Sequence, residues 1–167
     1  MESGFVERVP EHTSVISYKN VSFHVIDTPG EASLPSYFQY FDQFEIHTLV
    51  LVTPPAYDVH LLENHGVTTL DLSFNVDDGP GQSQIDGWFS VVNQAKGQKK
   101  PVSICIQGIY GGTRAPLMVA LGLYALGLSI DKALLLISEN IKAVVFQPHQ
   151  LDFLYWYCAP RAFCAAL

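Results

Sequence analysis

A strand, a glycine-rich loop and a buried helix follow one another without interruption in the second half of the chain. Residues 102–106 form an apolar, β-branched run, and residues 117–128 are almost wholly apolar. Between them, residues 107–113 include three glycines, and Arg114 stands at the junction with the helix. A run of this kind is typical of an α/β fold, in which such a loop lies at the carboxyl end of a strand.

The same loop has the composition of a phosphate cradle. Backbone N–H groups at a helix N-terminus favour an anion, and the planar guanidinium of Arg114 suits phosphate oxygens. Two alternatives stay open: Arg114 could cap backbone carbonyls beneath the loop, and the ring of Tyr110 could cover the pocket. The predicted anion-binding residues are Gly108, Ile109, Tyr110, Gly111, Gly112, Thr113 and Arg114.

Composition limits the class of protein. The chain has 167 residues, of which 49% are apolar and 15% charged, so we expect one globular domain. A formal net charge of −7 argues against a nucleic-acid partner. Three cysteines and no secretory-type N-terminus predict a reducing, cytoplasmic setting. The spacing of His60 and His65 is not that of a helical metal site, and we expect neither metal nor cofactor.

Strands and helices alternate along the rest of the chain, which predicts a mostly parallel sheet flanked by helices. We place a loose tail at residues 1–13, one domain at 14–158 and a C-terminal tail at 159–167. Predicted strands cover residues 15–16, 21–25, 48–52, 67–71 and 102–106. Predicted helices cover residues 34–44, 58–64, 82–96, 117–128, 130–138 and 148–157.

Three details of these helices can be predicted from side-chain pattern. Helical spacing places four apolar residues of the first helix on one face: Leu34, Phe38, Phe41 and Phe44. Ser129 is expected to cap the helix that begins at residue 130. The last helix carries a run of aromatic residues, which are expected mainly to pack inward, with some rings facing outward: Phe153, Tyr155, Trp156 and Tyr157.

Several segments resemble the phosphatases of regenerating liver, a family of prenylated protein tyrosine phosphatases. They include Ser-Tyr-Lys-Asn at residues 17–20, Gly-Val-Thr-Thr-Leu-Asp at 66–71 and Arg-Ala-Pro at 114–116. The resemblance extends from about Tyr18 to Pro160. It implies the cysteine-phosphatase fold of dual-specificity and protein tyrosine phosphatases.

The resemblance does not extend to the attacking group. The family carries His-Cys, five residues and Arg, and counting back from Arg114 places Gln107 and Gly108 at the His and Cys positions. Cys105 lies in the preceding strand, where a small buried core residue is expected. The family's redox partner cysteine corresponds to Thr53. The expectation is a pseudophosphatase that binds rather than cleaves.

The general acid is also altered. In an ungapped comparison the acid position of the family falls on Val76, and a shift of two residues would restore Asp77 or Asp78. We favour the ungapped comparison and interpret Asp77 and Asp78 as turn residues before Gly79. The alternative is residual phosphatase activity by a non-cysteine route, with one of these aspartates activating water.

The last four residues, Cys164-Ala165-Ala166-Leu167, match the CaaX box that the family carries. The final leucine favours a geranylgeranyl group on Cys164, which would attach the protein to the cytoplasmic face of a membrane. Only Arg161 precedes this box where the family has a polybasic stretch. Expected partners are a phosphorylated or acidic peptide at the Arg114 loop and, by resemblance, the CBS-domain magnesium transport mediators.

Overall fold

A computed structural model describes Pro10 and residues 12–159 of the chain. One sheet of five strands lies at its centre, in the order β1-β2-β5-β3-β4. Strand β1 pairs antiparallel with β2, and every other neighbouring pair is parallel. The mostly parallel sheet expected from the sequence is confirmed. The strands are β1 (Ser14–Tyr18), β2 (Val21–Asp27), β3 (Thr48–Leu51), β4 (Thr68–Asp71) and β5 (Val102–Gly108).

Helices cover both faces of this sheet because its strands are apolar on both sides. Ile104 and Ile106 of β5 contribute to one core cluster, and Cys105 contributes to the other. The helices are α1 (Leu34–Gln43), α2 (His60–Asn64), α3 (Gln82–Lys96), α4 (Arg114–Ala125), α5 (Ile130–Asn140) and α6 (Pro148–Tyr157). A 3₁₀ turn, Glu31–Ser33, precedes α1 and was not predicted from the sequence.

Helix α4 holds the glycine-rich loop in place, since the loop leads directly into its first turn. Nine consecutive residues, 115 to 123, are buried. The indole Nε1 of Trp88 in α3 donates a hydrogen bond to the Met118 carbonyl at 2.7 Å. Gly122 allows the close approach of Phe23, because a Cβ at this position would lie 2.8 Å from the Phe23 Cζ atom. Helix α4 is therefore fixed between β2 and α3.

The predicted apolar face of α1 is partly wrong. Leu34 and Phe41 are buried as expected, but Phe38 is half-buried and Phe44 lies beyond the helix with 38% of its surface exposed. Tyr37 and Tyr40 are buried instead. The Tyr40 hydroxyl has a partner in the core, since it lies 2.7 Å from Nδ1 of His24.

The aromatic run of α6 divides between core and surface as expected. Phe153 and Tyr157 pack against the core, whereas Trp156 is 76% exposed and Tyr155 is 46% exposed. The cap predicted at Ser129 is confirmed, since its hydroxyl accepts the Lys132 N–H at 3.4 Å. Among the described residues, no helix is both long and apolar enough to cross a bilayer.

Candidate functional site

The glycine-rich loop lies at the carboxyl ends of two neighbouring strands. Gly108 is the last residue of β5, and Arg114 is the first residue of α4. The parallel register of β2 and β5 places Asp27 opposite Gly108. The loop is thus at the edge of the sheet where parallel α/β folds bind their ligands, as expected.

Gly108 sits in a confined space. A Cβ atom at this position would lie 3.0 Å from the Ala115 Cβ and 3.3 Å from Cγ2 of Val52. Ala115 and Val52 are themselves buried. A larger residue at position 108 would therefore require its neighbours to move by a few tenths of an ångström.

Two amides of the loop are already bonded within the protein. The Gly112 N–H donates to the Ile109 carbonyl at 2.9 Å, which closes a turn around Gly111 at φ +78°. The Tyr110 N–H donates to the Asp27 carboxylate at 3.0 Å. An anion entering the loop would have to compete with these bonds.

The Tyr110 side chain lies outside the loop. Its ring is 53% exposed and stacks on the His12 ring, with 3.7 Å between centroids. Beside it is a cavity of about 270 Å³ whose lining includes Asp27, Asn140 and residues 108–112. Tyr110 is thus one of the residues that line this cavity.

Arg114 makes the carbonyl contact that the sequence left as an alternative. Its Nη1 donates to the Phe74 carbonyl at 3.1 Å, and the residue is half-buried. This bond joins α4 to the segment after β4. The neighbouring Thr113 accepts a hydrogen bond from Nε2 of Gln150 at 2.7 Å, which ties the loop to α6.

Gln107, which the sequence comparison sets at the family's histidine, is fully buried. Its Oε1 accepts a hydrogen bond from the Tyr57 hydroxyl. Burial is the main reason that the pKa of Tyr57 is raised well above its usual value, so this hydroxyl stays a donor at neutral pH. The Gln107 Nε2 has no hydrogen-bond partner among the described residues.

The segment that would carry the general acid forms an exposed turn. Asn75 accepts the N–H of Asp77 with its side chain at 2.9 Å and the N–H of Asp78 with its carbonyl at 3.2 Å. Val76 is 37% exposed. Asp77 and Asp78 are the solvent-facing turn residues that the sequence indicated. The contact of Phe74 with Arg114 brings this segment next to the loop.

The cysteines of the described chain are buried. Desolvation raises the pKa of the Cys105 thiol far above its ordinary value and that of Cys158 to about 11, so both remain protonated at neutral pH. Cys105 is the core residue expected from the sequence. Thr53 is buried, and its hydroxyl lies 3.5 Å from that of Thr28. Cys164 lies outside the described residues.

Potential metal ligands are scattered. Within residues 12–159 and Pro10, no three His, Cys, Asp or Glu side chains lie close enough together to hold a metal ion. His60 pairs with Glu63 at 3.2 Å and His65 with Asp42 at 2.9 Å, each on the surface.

Sequence reasoning missed two residues that contact the loop strand. Asp27 was not predicted as a site residue, although it directly precedes Thr28, Pro29 and Gly30, a run that is typical of a strand end. Tyr57 was not expected to be the partner of Gln107. Knowing that β2 pairs with β5 would have placed Asp27 beside the loop, because this pairing sets the ends of the two strands side by side.

The fold and the loop place this chain in the class of cysteine-phosphatase-fold proteins. A solved structure described as a protein tyrosine phosphatase of Leishmania major has a TM-score of 0.73 at 24% identity, covering 85% of this chain and 96% of that one. The kinase associated phosphatase, with its catalytic cysteine replaced by serine, has a TM-score of 0.71 at 15% identity, covering 96% and 99%. No protein-family model matches the chain.

Sequence similarity identifies the family within this fold class. The PRL-1 phosphatase of Drosophila melanogaster is 31% identical over 149 residues, which cover 89% of this chain and 84% of that protein. The chain belongs to the PRL family of protein tyrosine phosphatases, also called type IVA. The resemblance to that family drawn from the sequence is confirmed.

Proposed function

We propose that this protein is a pseudophosphatase: a PRL-type domain that binds a partner through its loop surface and does not cleave phosphate esters. The observation that carries the proposal is Gly108 at the position of the attacking cysteine. A glycine has no nucleophilic atom, and the thiols of Cys105 and Cys158 are buried and protonated. Val76, at the acid position, cannot donate a proton.

The loop surface could offer a partner two kinds of contact. Arg114 and the loop amides without an internal partner are the groups that a phosphorylated or acidic peptide, the ligand expected from the sequence, would contact. The exposed side chains of Ile109 and Tyr110, at 58% and 53%, support contact with an apolar protein surface. Resemblance to the family makes the CBS-domain magnesium transport mediators the first partners to test.

We expect the natural protein to show no turnover of p-nitrophenyl phosphate above a buffer blank. Gly108→Cys is the matched control, since it returns the attacking atom and leaves the other loop residues unchanged. We expect slow turnover at most from this variant, because its Cβ would press on Ala115. Steady turnover by the natural protein would contradict the proposal.

A second candidate function is residual hydrolysis through Asp77 or Asp78, which lie in the exposed turn adjoining Arg114 through Phe74. This function predicts that the natural protein hydrolyses p-nitrophenyl phosphate and that the Asp77→Asn or the Asp78→Asn variant does not. Both residues are exposed in a turn, and no Cys or His of residues 12–159 is shown in contact with them, so we rank this function below binding.

We propose further that Cys164 carries a geranylgeranyl group and that the protein associates with membranes. The match of residues 164–167 to a prenylation box supports this. Intact mass spectrometry of the full-length protein from eukaryotic cells should show an added prenyl mass that is absent from Cys164→Ser. An unmodified Cys164 would contradict the proposal. One lipid chain with only Arg161 nearby should give weak, reversible membrane binding.

A further inference from the structure

The Asp27 carboxylate accepts a hydrogen bond from a loop amide that an anion bound in the loop would use. Its Oδ1 accepts the Thr28 N–H at 2.9 Å and the Tyr110 N–H at 3.0 Å. Asp27 is half-buried at the end of β2 and lines the cavity beside the loop. Bonds from backbone N–H groups to a carboxylate are charge-assisted, and they are the bonds that a phosphate oxygen forms in such loops.

The other donors of the loop are partly committed in the same way. The Gly112 N–H bonds to Ile109 within the turn, and Nη1 of Arg114 bonds to the Phe74 carbonyl. A phosphate would therefore meet a loop in which two amides, those of Tyr110 and Gly112, already have hydrogen-bond partners and the Asp27 carboxylate is one of those partners. Like charges a few ångströms apart repel strongly at a partly buried site.

We infer that the Asp27 carboxylate takes the place of an external anion at this loop and thereby excludes phosphate from it. The inference rests on the proposed binding role of the loop and limits its ligand class. The phosphorylated or acidic peptide expected from the sequence is then the disfavoured ligand.

The test is a titration of the full-length protein with inorganic phosphate, followed by the amide resonances of residues 109–113. Asp27→Asn removes the charge but keeps an acceptor for Tyr110, and Asp27→Ala removes both. The matched control is Asp71→Asn, which removes the same charge from an exposed aspartate at the end of β4 that accepts the Ser73 N–H at 2.9 Å.

We expect both Asp27 variants to bind phosphate at least about tenfold more tightly than the natural protein, and Asp71→Asn to stay within about twofold of it. Equal affinities in the natural protein and both Asp27 variants, or no binding in any of them, would overturn the inference. If Asp27→Ala does not fold, Asp27→Asn decides alone. The outcome is independent of the turnover assay, since the natural protein can lack turnover whatever its phosphate affinity.

Discussion

Replacing Trp88 by alanine is expected to lower the free energy of unfolding by about 3–5 kcal/mol, the usual cost of removing a fully buried aromatic side chain. Trp88, a residue of α3, is completely buried against α4 and the Phe23 ring, and the centroids of the Trp88 and Phe23 rings are 5.6 Å apart. Its indole also donates to the Met118 carbonyl. The loss should therefore loosen α4 and the loop that leads into it. Equilibrium denaturation followed by circular dichroism measures the effect.

The chain provides its own control for this experiment. Trp156 is the same residue type in another helix but is 76% exposed. Trp156→Ala should change stability by no more than about 0.5 kcal/mol. Trp88→Phe, which keeps most of the volume but loses the hydrogen bond, should fall between the two. Similar losses for Trp88→Ala and Trp156→Ala would contradict the packing described here.

Lowering the pH from 7.5 to 5 should cost about 2 kcal/mol of stability through His24 alone. His24 is buried, with Nδ1 2.7 Å from the Tyr40 hydroxyl and Nε2 3.2 Å from the Ser103 hydroxyl. Desolvation lowers its pKa from 6.5 to about 4 in the folded protein. Between about pH 4 and pH 6.5, His24 binds a proton in the unfolded chain but not in the folded chain. The contribution of His24 to stability is therefore complete above about pH 6.5 and is lost as the pH drops toward 4.

Urea denaturation at pH 7.5 and pH 5 measures this loss. His24→Gln has no titrating group but can still bond to the two hydroxyls, so it should lose about 2 kcal/mol less than the natural protein over this range. His47→Gln removes an exposed histidine and should behave like the natural protein. An equal pH dependence in the natural protein and His24→Gln would show that His24 is not responsible.

The fold could be predicted from sequence because its elements carry strong local signals. Helix α3 begins at Gln82 and ends at Lys96, and α6 runs from Pro148 to Tyr157, both as expected. The buried face of α1 was harder to predict, because a tyrosine side chain can face either the core or the solvent. The hydroxyl of the buried Tyr40 lies within hydrogen-bonding distance of His24, which belongs to strand β2. That partner cannot be recognised from helical spacing.

The candidate site was predicted less completely than the fold. The loop between β5 and α4 could be predicted, because an apolar strand, three glycines and an apolar helix follow one another there. The internal bonds of the loop could not be predicted, because Asp27 and Tyr110 are far apart in sequence and meet only through the pairing of β2 with β5. The bond from Arg114 to Phe74 likewise depends on how the segment after β4 approaches α4.

The pairing of β2 with β5 also affects how the chain folds as it is made. Val21 pairs with Val102, so the two strands are 81 residues apart (102 − 21). At about 5–20 residues per second, a ribosome needs roughly 4–16 s to synthesise that interval. During this time the β1–β2 hairpin has an unpaired, apolar edge that can associate with other chains. The nascent protein should therefore depend on chaperones until β5 has emerged.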